Sequence, residues 1–368
     1  MTRLFRGIVT GLVLFVAGGA AAAAVPADKP EGFGAAAKGG EGGRVILVTT
    51  LADSGPGSLR EALAAKGPRI VRFAVEGDVV LQSRLRVTEG RVTIDGASAP
   101  GAGITLRNHG IQFVNCSDLV VRHLRIRVTT GGASGDCILL WGKDVKVERA
   151  LVDHCSLMGS TDETVNTWGT VGDATFQWCI IARGKPPHSK GWLSGKGSDR
   201  VTIHHCLFAD NDDRNPKLEG GLYELVNNVI CNWSNNNAAK VRLGARVNVV
   251  GNCFVPGPKS APEKGSVFLE DPPEGAKLFL AGNISTLSPA GAKDQWVNVT
   301  LNDKAGSHRP APDEFRADKP HEGSGLVAED ALAAAAEVLK RAGASHRDAD
   351  DESVVKDATE RLNRLTAK

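Results

Sequence analysis

The chain has 368 residues, of which 43 are glycine and 17 are proline, and aromatic residues make up only 5% of it. This composition suits many turns between short strands, and the length leaves room for one large elongated domain. The 44 Lys and Arg residues nearly balance the 42 Asp and Glu residues, so the formal charge is only +2. That balance argues against electrostatic binding of nucleic acid, which requires a strongly basic surface.

The N-terminus has the pattern of a secretion signal. Arg3 and Arg6 form a positive region, residues 8–20 are apolar, and residues 21–27 offer small-residue cleavage sites. A membrane anchor is the alternative, but the apolar stretch is short and rich in Gly and Ala. We therefore expect residues 1–24 to be a signal peptide, and the mature protein to be secreted or periplasmic without membrane attachment.

Two segments after the signal predict the start of a domain. The Gly-rich run Glu31–Gly43 lacks the lysine-serine ending of a P-loop and has no strand before it, so we interpret it as a winding loop. Ser58 and Glu61 form a capping-box pattern, which predicts a short helix over Leu59–Ala65. A short helix here would close the end of a stacked fold.

A repeat of short strand units follows. The stretch Val201–Gly220 begins with residues that alternate between two faces of a strand and ends in a charged loop. Its dipeptide His205-Cys206 aligns with similar dipeptides elsewhere: His123-Leu124, His154-Cys155, Trp178-Cys179, Asn228-Val229 and Asn252-Cys253. From the second of these onward they recur every 23 to 27 residues. Because one such unit cannot bury its own apolar face, the repeat predicts an all-β, single-stranded parallel β-helix.

The seven cysteines allow two interpretations in an exported protein. Disulfides would leave at least one cysteine free, since the number is odd. Cys155, Cys179, Cys206 and Cys253 share one position of the repeat in this alignment, so we prefer a stack of small buried side chains. The sequence has no CxxC or Cys/His spacing typical of zinc sites.

The C-terminal part predicts an end to the repeat and a helical tail. Further strands are expected at Ser266–Leu269, Ala276–Leu280 and Gln295–Leu301, so that the β-helix domain spans residues 30–302. A Pro- and charge-rich linker is expected over 303–325. Helices are expected at Ala328–Ala342 and Asp350–Ala367, within a C-terminal tail of residues 326–368.

Polar side chains occur at similar places in three successive repeats and form a candidate site. They are Asp136, then Asp162, Glu163 and Asn166, then His188 and Lys190, and they approach Arg214 in the Val201–Gly220 stretch. Loops of neighbouring coils are about 4.8 Å apart, so these side chains should meet. The carboxylate and amide oxygens of Asp136, Asp162, Glu163 and Asn166, a group that contains no His or Cys, suit a hard cation such as calcium. The alternative is a solvated edge of turn residues.

Several motifs resemble one known family. DSGPGSLREAL, VDHCSLMGSTDETVNTW, HHCLFADNDDRNPKLEGG and LVNNVICNW are similar to segments of pectate lyases of the polysaccharide lyase 1 type, especially a branch of exported bacterial proteins. The resemblance runs from about Pro30 to Pro258. It implies a right-handed parallel β-helix and calcium-dependent β-elimination of polygalacturonate, which gives 4,5-unsaturated products.

The resemblance also implies roles for individual residues. Arg214 matches the catalytic base, and the implied substrate contacts are Lys190, Lys217, Arg242 and His188. The implied calcium ligands are Asp136, Asp162, Asn166 and Glu163. Three positions depart from the family pattern. Asn166 stands where better-known members have aspartate, Ser134 replaces a partner of Asp136, and Glu219 replaces a second arginine. These changes predict weaker calcium binding, and Glu219 would repel an acidic sugar unless Lys217 or the metal compensates.

Chemical reasoning supports the same assignment. Removing the C5 proton of a uronate places negative charge on its carboxylate, which a divalent cation and Lys190 or Arg242 would stabilise. Arginine is a weak base because its pKa is above about 12. Crowding of Arg214 by a cation and by Lys190 or Lys217 would disfavour its charged form, so we expect an alkaline optimum.

Three alternatives remain open. A glycosidase would use paired carboxylates such as Asp212 and Asp213, but the Gly-His-Gly and Arg-Ile-Lys segments of β-helical glycosidases are missing. A non-catalytic carbohydrate-binding protein could share the fold. A lyase for another polyuronate is the third. We expect a monomer whose partner is an acidic polysaccharide.

Overall fold

The computed structural model describes residues 29–129, 135–234, 238–270, 275–302 and 308–367. The predicted signal peptide and Ser134 lie outside these residues. The strands are β1 Arg44–Val48, β2 Arg69–Phe73, β3 Gly77–Val80, β4 Leu85–Val87, β5 Val92–Asp95, β6 Ile104–Asn108, β7 Ile111–Val114, β8 Leu119–Arg122, β9 Arg125–Val128, β10 Ile138–Asp153, β11 Ser156–Met158, β12 Glu163–Gln177, β13 Ile180–Ala182, β14 Lys190–Ser194, β15 Asp199–His204, β16 Leu207–Ala209, β17 Lys217–Glu219, β18 Leu222–Val226, β19 Val229–Cys231, β20 Ala239–Arg242, β21 Arg246–Val250, β22 Cys253–Val255, β23 Val267–Leu269, β24 Lys277–Ala281, β25 Val299–Asn302 and β26 His308–Pro310. The helices are α1 Leu59–Ala64, α2 Ala331–Arg341 and α3 Ala349–Thr366.

The strands stack into a parallel β-helix with three faces, which confirms the predicted fold class. Face 1 contains β4, β7, the first halves of β10 and β12, then β14, β17, β20, β23 and β25. Face 2 contains β1, β2, β5, β8, the second halves of β10 and β12, then β15, β18, β21 and β24. Face 3 contains β3, β6, β9, β11, β13, β16, β19 and β22. All these neighbours pair in parallel, as stacked coils require.

An internal ladder of small side chains runs along the coils, and it corrects the predicted alignment. The backbone N–H groups of Cys155 and Cys179 donate to the sulfur of the next cysteine, Cys179 and Cys206, at 3.4 Å each. The ladder then continues with Asn228 and Asn252, whose side-chain oxygens accept from the preceding ladder residue at 2.9 Å. All seven cysteines of the chain are buried free thiols, as preferred above.

The placement of Cys253 in this ladder was wrong. Cys253 pairs in register with Val229, and its thiol donates to the carbonyl of Ala331 in α2 at 3.4 Å. The predicted alignment is displaced by one residue at Asn228-Val229 and Asn252-Cys253. Asn228 and Asn252, not Val229 and Cys253, occupy the ladder position that Cys206 holds in its coil. A shift of one residue moves a side chain to the opposite side of a strand, so Cys253 faces outward.

The N-terminal segment confirms the predicted helix and covers part of face 2. In α1, the Ser58 hydroxyl accepts from the N–H of Glu61 at 3.2 Å, and Leu59 is buried against the first coils. The winding loop includes a 3-10 helix at Phe33–Ala36. Its Phe33 N–H donates to the Thr202 hydroxyl on face 2 at 3.0 Å.

The C-terminal helices cover face 3. Apolar side chains of α2 and α3, including Val338 and Val354, form a second buried cluster with outward side chains of β13, β16, β19 and β22. Arg127 of β9 anchors α3 through Asp348 at 2.8 Å and Asp351 at 3.0 Å. The expected linker contains β26, which pairs antiparallel with β25. Among the described residues, no helix combines the length and hydrophobicity that would let it cross a membrane.

Candidate active site

Three successive coils bring the predicted acidic residues together at one edge of face 1. Asp136 precedes β10, Asp162 directly precedes Glu163 at the start of β12, and Lys190 opens β14. Glu163 lies in register with Lys190, and Lys190 in turn forms a bridge with Asp213 of the next coil. The stacking of equivalent loops therefore creates the cluster, since each coil adds its side chains beside those of the previous one.

Asp136 is a buried carboxylate without a hydrogen-bond donor. Only 2% of the residue is exposed, and both side-chain oxygens are buried and lack a hydrogen-bond partner among the described residues. Arg84 forms an ion pair with it at 3.9 Å. Burial raises the pKa of Asp136 to about 7, against the opposing effect of Arg84, and the Asp162 and Glu163 carboxylates add to the rise. A cation that coordinated these oxygens would relieve this unfavourable burial.

Asp162, Glu163 and His188 form a second part of the cluster. One ligand atom from each of these three residues lies within 4.8 Å of the others. Burial raises the pKa of Glu163 to about 7, with a further contribution from Asp162. Burial alone would also raise the pKa of Asp162, but hydrogen bonds from Glu163 and His188 outweigh it and lower that pKa. The His188 ring nitrogen lies 2.7 Å from the Asp162 carboxylate.

Asn166 adds one more oxygen that lacks a donor. Its side-chain Oδ1 is buried and has no hydrogen-bond partner in the part of the chain that the structure describes. Asn166 lies three residues after Glu163 in β12. Together with Asp136, it provides three buried oxygen atoms that nothing in the described protein satisfies. Oxygen ligands of this kind suit a hard cation such as calcium, so the residues present fit the predicted metal.

Arg214 contacts carboxylates rather than cations. Its guanidinium forms an ion pair with Glu163, and its Nε lies 3.8 Å from Asp213. Lys190 pairs at 3.2 Å with the same Asp213 oxygen that Arg214 approaches, so these two cations share one carboxylate. Lys217 pairs instead with Glu270 at 2.5 Å.

A charge network on face 1 holds the other predicted basic residues. Lys217 lies 3.4 Å from Glu219, and Arg242, in register with Glu219, lies 3.9 Å from it. Glu270 accepts from Arg242 at 3.1 Å and also pairs with Lys217 and Lys240. The compensation of Glu219 by Lys217 is therefore present.

Sequence reasoning missed Lys240 and Glu270. Lys240 lies two residues before Arg242 in β20, and strand alternation alone would have placed both on one face. Glu270 follows β23 directly, just beyond the predicted strand.

The paired acidic residues of the glycosidase alternative are engaged elsewhere. Asp213 forms ion pairs with Lys190 at 3.2 Å and Lys240 at 2.9 Å. Burial would raise its pKa, but these two lysines outweigh burial and lower it. A glycosidase acid needs a raised pKa, so Asp213 does not suit that role.

Comparison with known proteins gives close relatives of one kind. No protein-family model matches the chain. A protein named probable pectate lyase C from Aspergillus fumigatus is 41% identical over 234 residues, which cover 63% of this chain and 54% of the relative. Another of that name from Emericella nidulans is 39% identical over 254 residues, or 69% of this chain and 55% of the relative. The chain thus spans about half the length of the curated relatives it matches.

Solved structures agree in fold at lower identity. The cedar pollen allergen Jun a 1 superposes with a TM-score of 0.64 at 19% identity, over 86% of this chain and 93% of the allergen. A mutant of a pectate lyase C in complex with pentagalacturonic acid gives a TM-score of 0.59 at 18% identity, over 87% and 97%. Pectate lyase C from Erwinia chrysanthemi, solved at pH 9.5 with calcium, superposes with a TM-score of 0.57 at 18% identity. The match covers 86% of this chain and 96% of that lyase.

Proposed function

We propose, from the confirmed resemblance to pectate lyases in sequence and fold, that this protein is an exported polysaccharide lyase that cleaves polygalacturonate by calcium-assisted β-elimination. One observation carries the proposal. The buried oxygens of Asp136 and Asn166 receive no hydrogen bond from any described residue, and they lie in neighbouring coils to an arginine held beside Glu163. A hard cation and a base on one open face are the two parts that this elimination needs.

Calcium would be held by Asp136, Asp162, Glu163 and Asn166, which offer only oxygen atoms. When bound, the ion would polarise the uronate carboxylate and so make the C5 proton more acidic. Glu163 is both a candidate ligand and the ion-pair partner of Arg214. Metal binding and the charge of Arg214 are therefore linked, because an oxygen that coordinates an ion is less available to a guanidinium.

Arg214 is the proposed base. It removes the C5 proton, and the electron pair of that C–H bond forms the double bond between C4 and C5 as the bond from C4 to the glycosidic oxygen breaks. The leaving oxygen takes a proton from water, and Arg214 returns its proton to solvent. The other proposed contacts, Lys190, Lys217, Arg242 and His188, would bind the carboxylates of neighbouring sugars. Since a neutral guanidine is required, activity should rise with pH into the alkaline range.

The test is ultraviolet absorbance during incubation of the mature protein with polygalacturonate at alkaline pH, with calcium or with a chelator. An unsaturated product absorbs, whereas a hydrolysis product does not. We expect absorbance to rise only with calcium, and Arg214→Lys and Arg214→Ala to lower the rate by about a thousandfold. Arg246→Lys, at an exposed position of face 2, is the matched control and should leave the rate unchanged.

Other outcomes distinguish the alternatives. Binding of polygalacturonate without product would indicate a non-catalytic carbohydrate-binding protein. Product from a different polyuronate only would change the substrate and keep the mechanism. An acid optimum with full activity in Arg214→Ala would remove the assignment of the base.

A further inference from the structure

Face 1 carries two tryptophans in adjacent coils. Trp141 of β10 and Trp168 of β12 are direct neighbours in the parallel ladder. Trp168 is 48% exposed, although large aromatic side chains are usually buried. Core residue Val165 and buried Thr167 point inward on the same strand, so alternation places Trp168 on the outer side with Asn166. The two outward positions are about 7 Å apart along the strand.

Gly195 of the next coil allows the Trp168 ring to approach its backbone closely. A Cβ atom at this glycine would lie 2.5 Å from Cε3 and 2.7 Å from Cζ3 of the indole, so a side chain there would displace the ring. The indole therefore lies against the backbone at Gly195. With the residue 48% exposed, the ring also presents apolar surface to solvent.

Two exposed lysines border this surface. Lys143 lies on the coil of Trp141, with its ammonium 5.8 Å from the centre of that ring, and Lys196 directly follows Gly195. Within the described residues, neither lysine forms an ion pair. This contrasts with Lys190, Lys217 and Lys240, each of which is bound by a carboxylate.

We propose that Trp168, supported by Trp141 and flanked by Lys143 and Lys196, is a sugar-binding subsite that stacks a pyranose ring of an acidic polysaccharide. The apolar C–H face of a pyranose fits an exposed indole, and the free lysines complement its carboxylate. The subsite adjoins the candidate site through Asn166 on the same strand, so one polymer chain can contact both. The proposal rests on the proposed function for the identity of the polymer.

The test measures binding and turnover separately. Polygalacturonate affinity is measured in an Arg214→Ala background, where substrate is not consumed, and KM and kcat are measured without that change. We expect Trp168→Ala to weaken binding and raise KM by about tenfold with kcat unchanged, because an aromatic anchor is lost and the reacting groups are not. Trp168→Phe should recover most of the affinity, and polymer binding should shift the tryptophan fluorescence only when Trp168 is present.

Lysine variants test the electrostatic part. Lys196→Ala should weaken binding severalfold, and the difference from the unsubstituted protein should shrink at high salt. Lys356→Ala, on the exposed side of α3, is the matched control and should have no effect. If Trp168→Ala changes neither the affinity for polygalacturonate nor KM by more than twofold, the subsite is overturned while the lyase function stands. Binding that depends on Trp168 without any unsaturated product would overturn the lyase function alone. No binding at all would overturn both.

Discussion

Asn166 is the residue at which this site departs most clearly from an all-carboxylate metal site. Its Oδ1 is buried and, within residues 29–129, 135–234, 238–270, 275–302 and 308–367, lacks a donor, as do both oxygens of Asp136. An amide oxygen coordinates calcium but contributes no negative charge, so the site should bind calcium more weakly than one with a further aspartate. The same amide adds no negative charge to the strand that begins at Glu163, whose pKa, like that of Asp136, is already raised to about 7.

A substitution at Asn166 tests how calcium affinity and the stability of the calcium-free protein depend on the charge at this position. We expect Asn166→Asp to raise calcium affinity about tenfold and to lower the thermal stability of the calcium-free protein, because a third carboxylate joins two that are unfavourably buried. Calorimetric titration and thermal unfolding without calcium would measure these effects. Asn363→Asp, at an exposed position of α3, should change neither quantity. Equal or weaker calcium binding by Asn166→Asp would show that Asn166 is not a ligand.

In the internal ladder, one position of the repeating coil is occupied by two kinds of side chain. Cys155, Cys179 and Cys206 fill it in earlier coils, and Asn228 and Asn252 fill it in later ones. Cysteine fills the space as a small hydrophobe, whereas asparagine must satisfy every polar atom. It does so, because each Asn amide donates to main-chain carbonyls while its oxygen accepts from the preceding coil.

Replacing one asparagine of the ladder should therefore lower the stability of the protein. Asn252→Ala removes the acceptor for the N–H and side chain of Asn228, at 2.9 and 3.0 Å, and leaves the carbonyl of Leu225 without its donor. We expect the free energy of unfolding to fall by about 3 kcal/mol, since buried polar groups lose their partners. Chemical denaturation would measure it, with the exposed Asn363→Ala expected to change stability by less than about 0.5 kcal/mol. A loss as small as that of the control would mean that the ladder does not stabilise the coils.

At the scale of the whole molecule, the described N-terminal segment and the C-terminal helices lie over two faces of the β-helix. The N-terminal 3-10 helix contacts face 2, and α2 and α3 cover face 3. The candidate site and exposed Trp168 occur on face 1. This arrangement leaves one long surface, parallel to the helix axis, on which an extended polymer could lie.

The raised carboxylate pKa values predict coupling among pH, calcium and global stability. Asp136 and Glu163 have pKa values near 7 in the folded protein, above those of unfolded carboxylates, so the folded state holds more protons between about pH 4 and about pH 7. Without calcium, stability should fall as pH rises through this range. Calcium needs the ionised carboxylates, so its stabilising effect should grow over the same range.

We expect calcium to raise the Tm by about 5 °C at about pH 8 and by little at about pH 5. Thermal unfolding with calcium or a chelator would measure this difference. Asp136→Asn should raise the Tm of the calcium-free protein at the higher pH and remove most of the calcium effect. An equal rise in Tm with calcium at both pH values would contradict the coupling between carboxylate ionisation and calcium binding.

The sequence by itself determined the parallel β-helix, because alternation and a recurring strand unit depend on local order that stacking preserves. It also brought Asp136, Glu163 and Lys190 to one edge, since equivalent loops of successive coils must lie side by side. Only the tertiary structure decided the ladder position of Asn252, because an alignment error of one residue reverses the side of the strand. It alone decided that Arg214 pairs with Glu163 and that Glu270 joins three basic residues. Such pairings depend on side-chain reach and on competition between neighbouring charges, which sequence spacing does not encode.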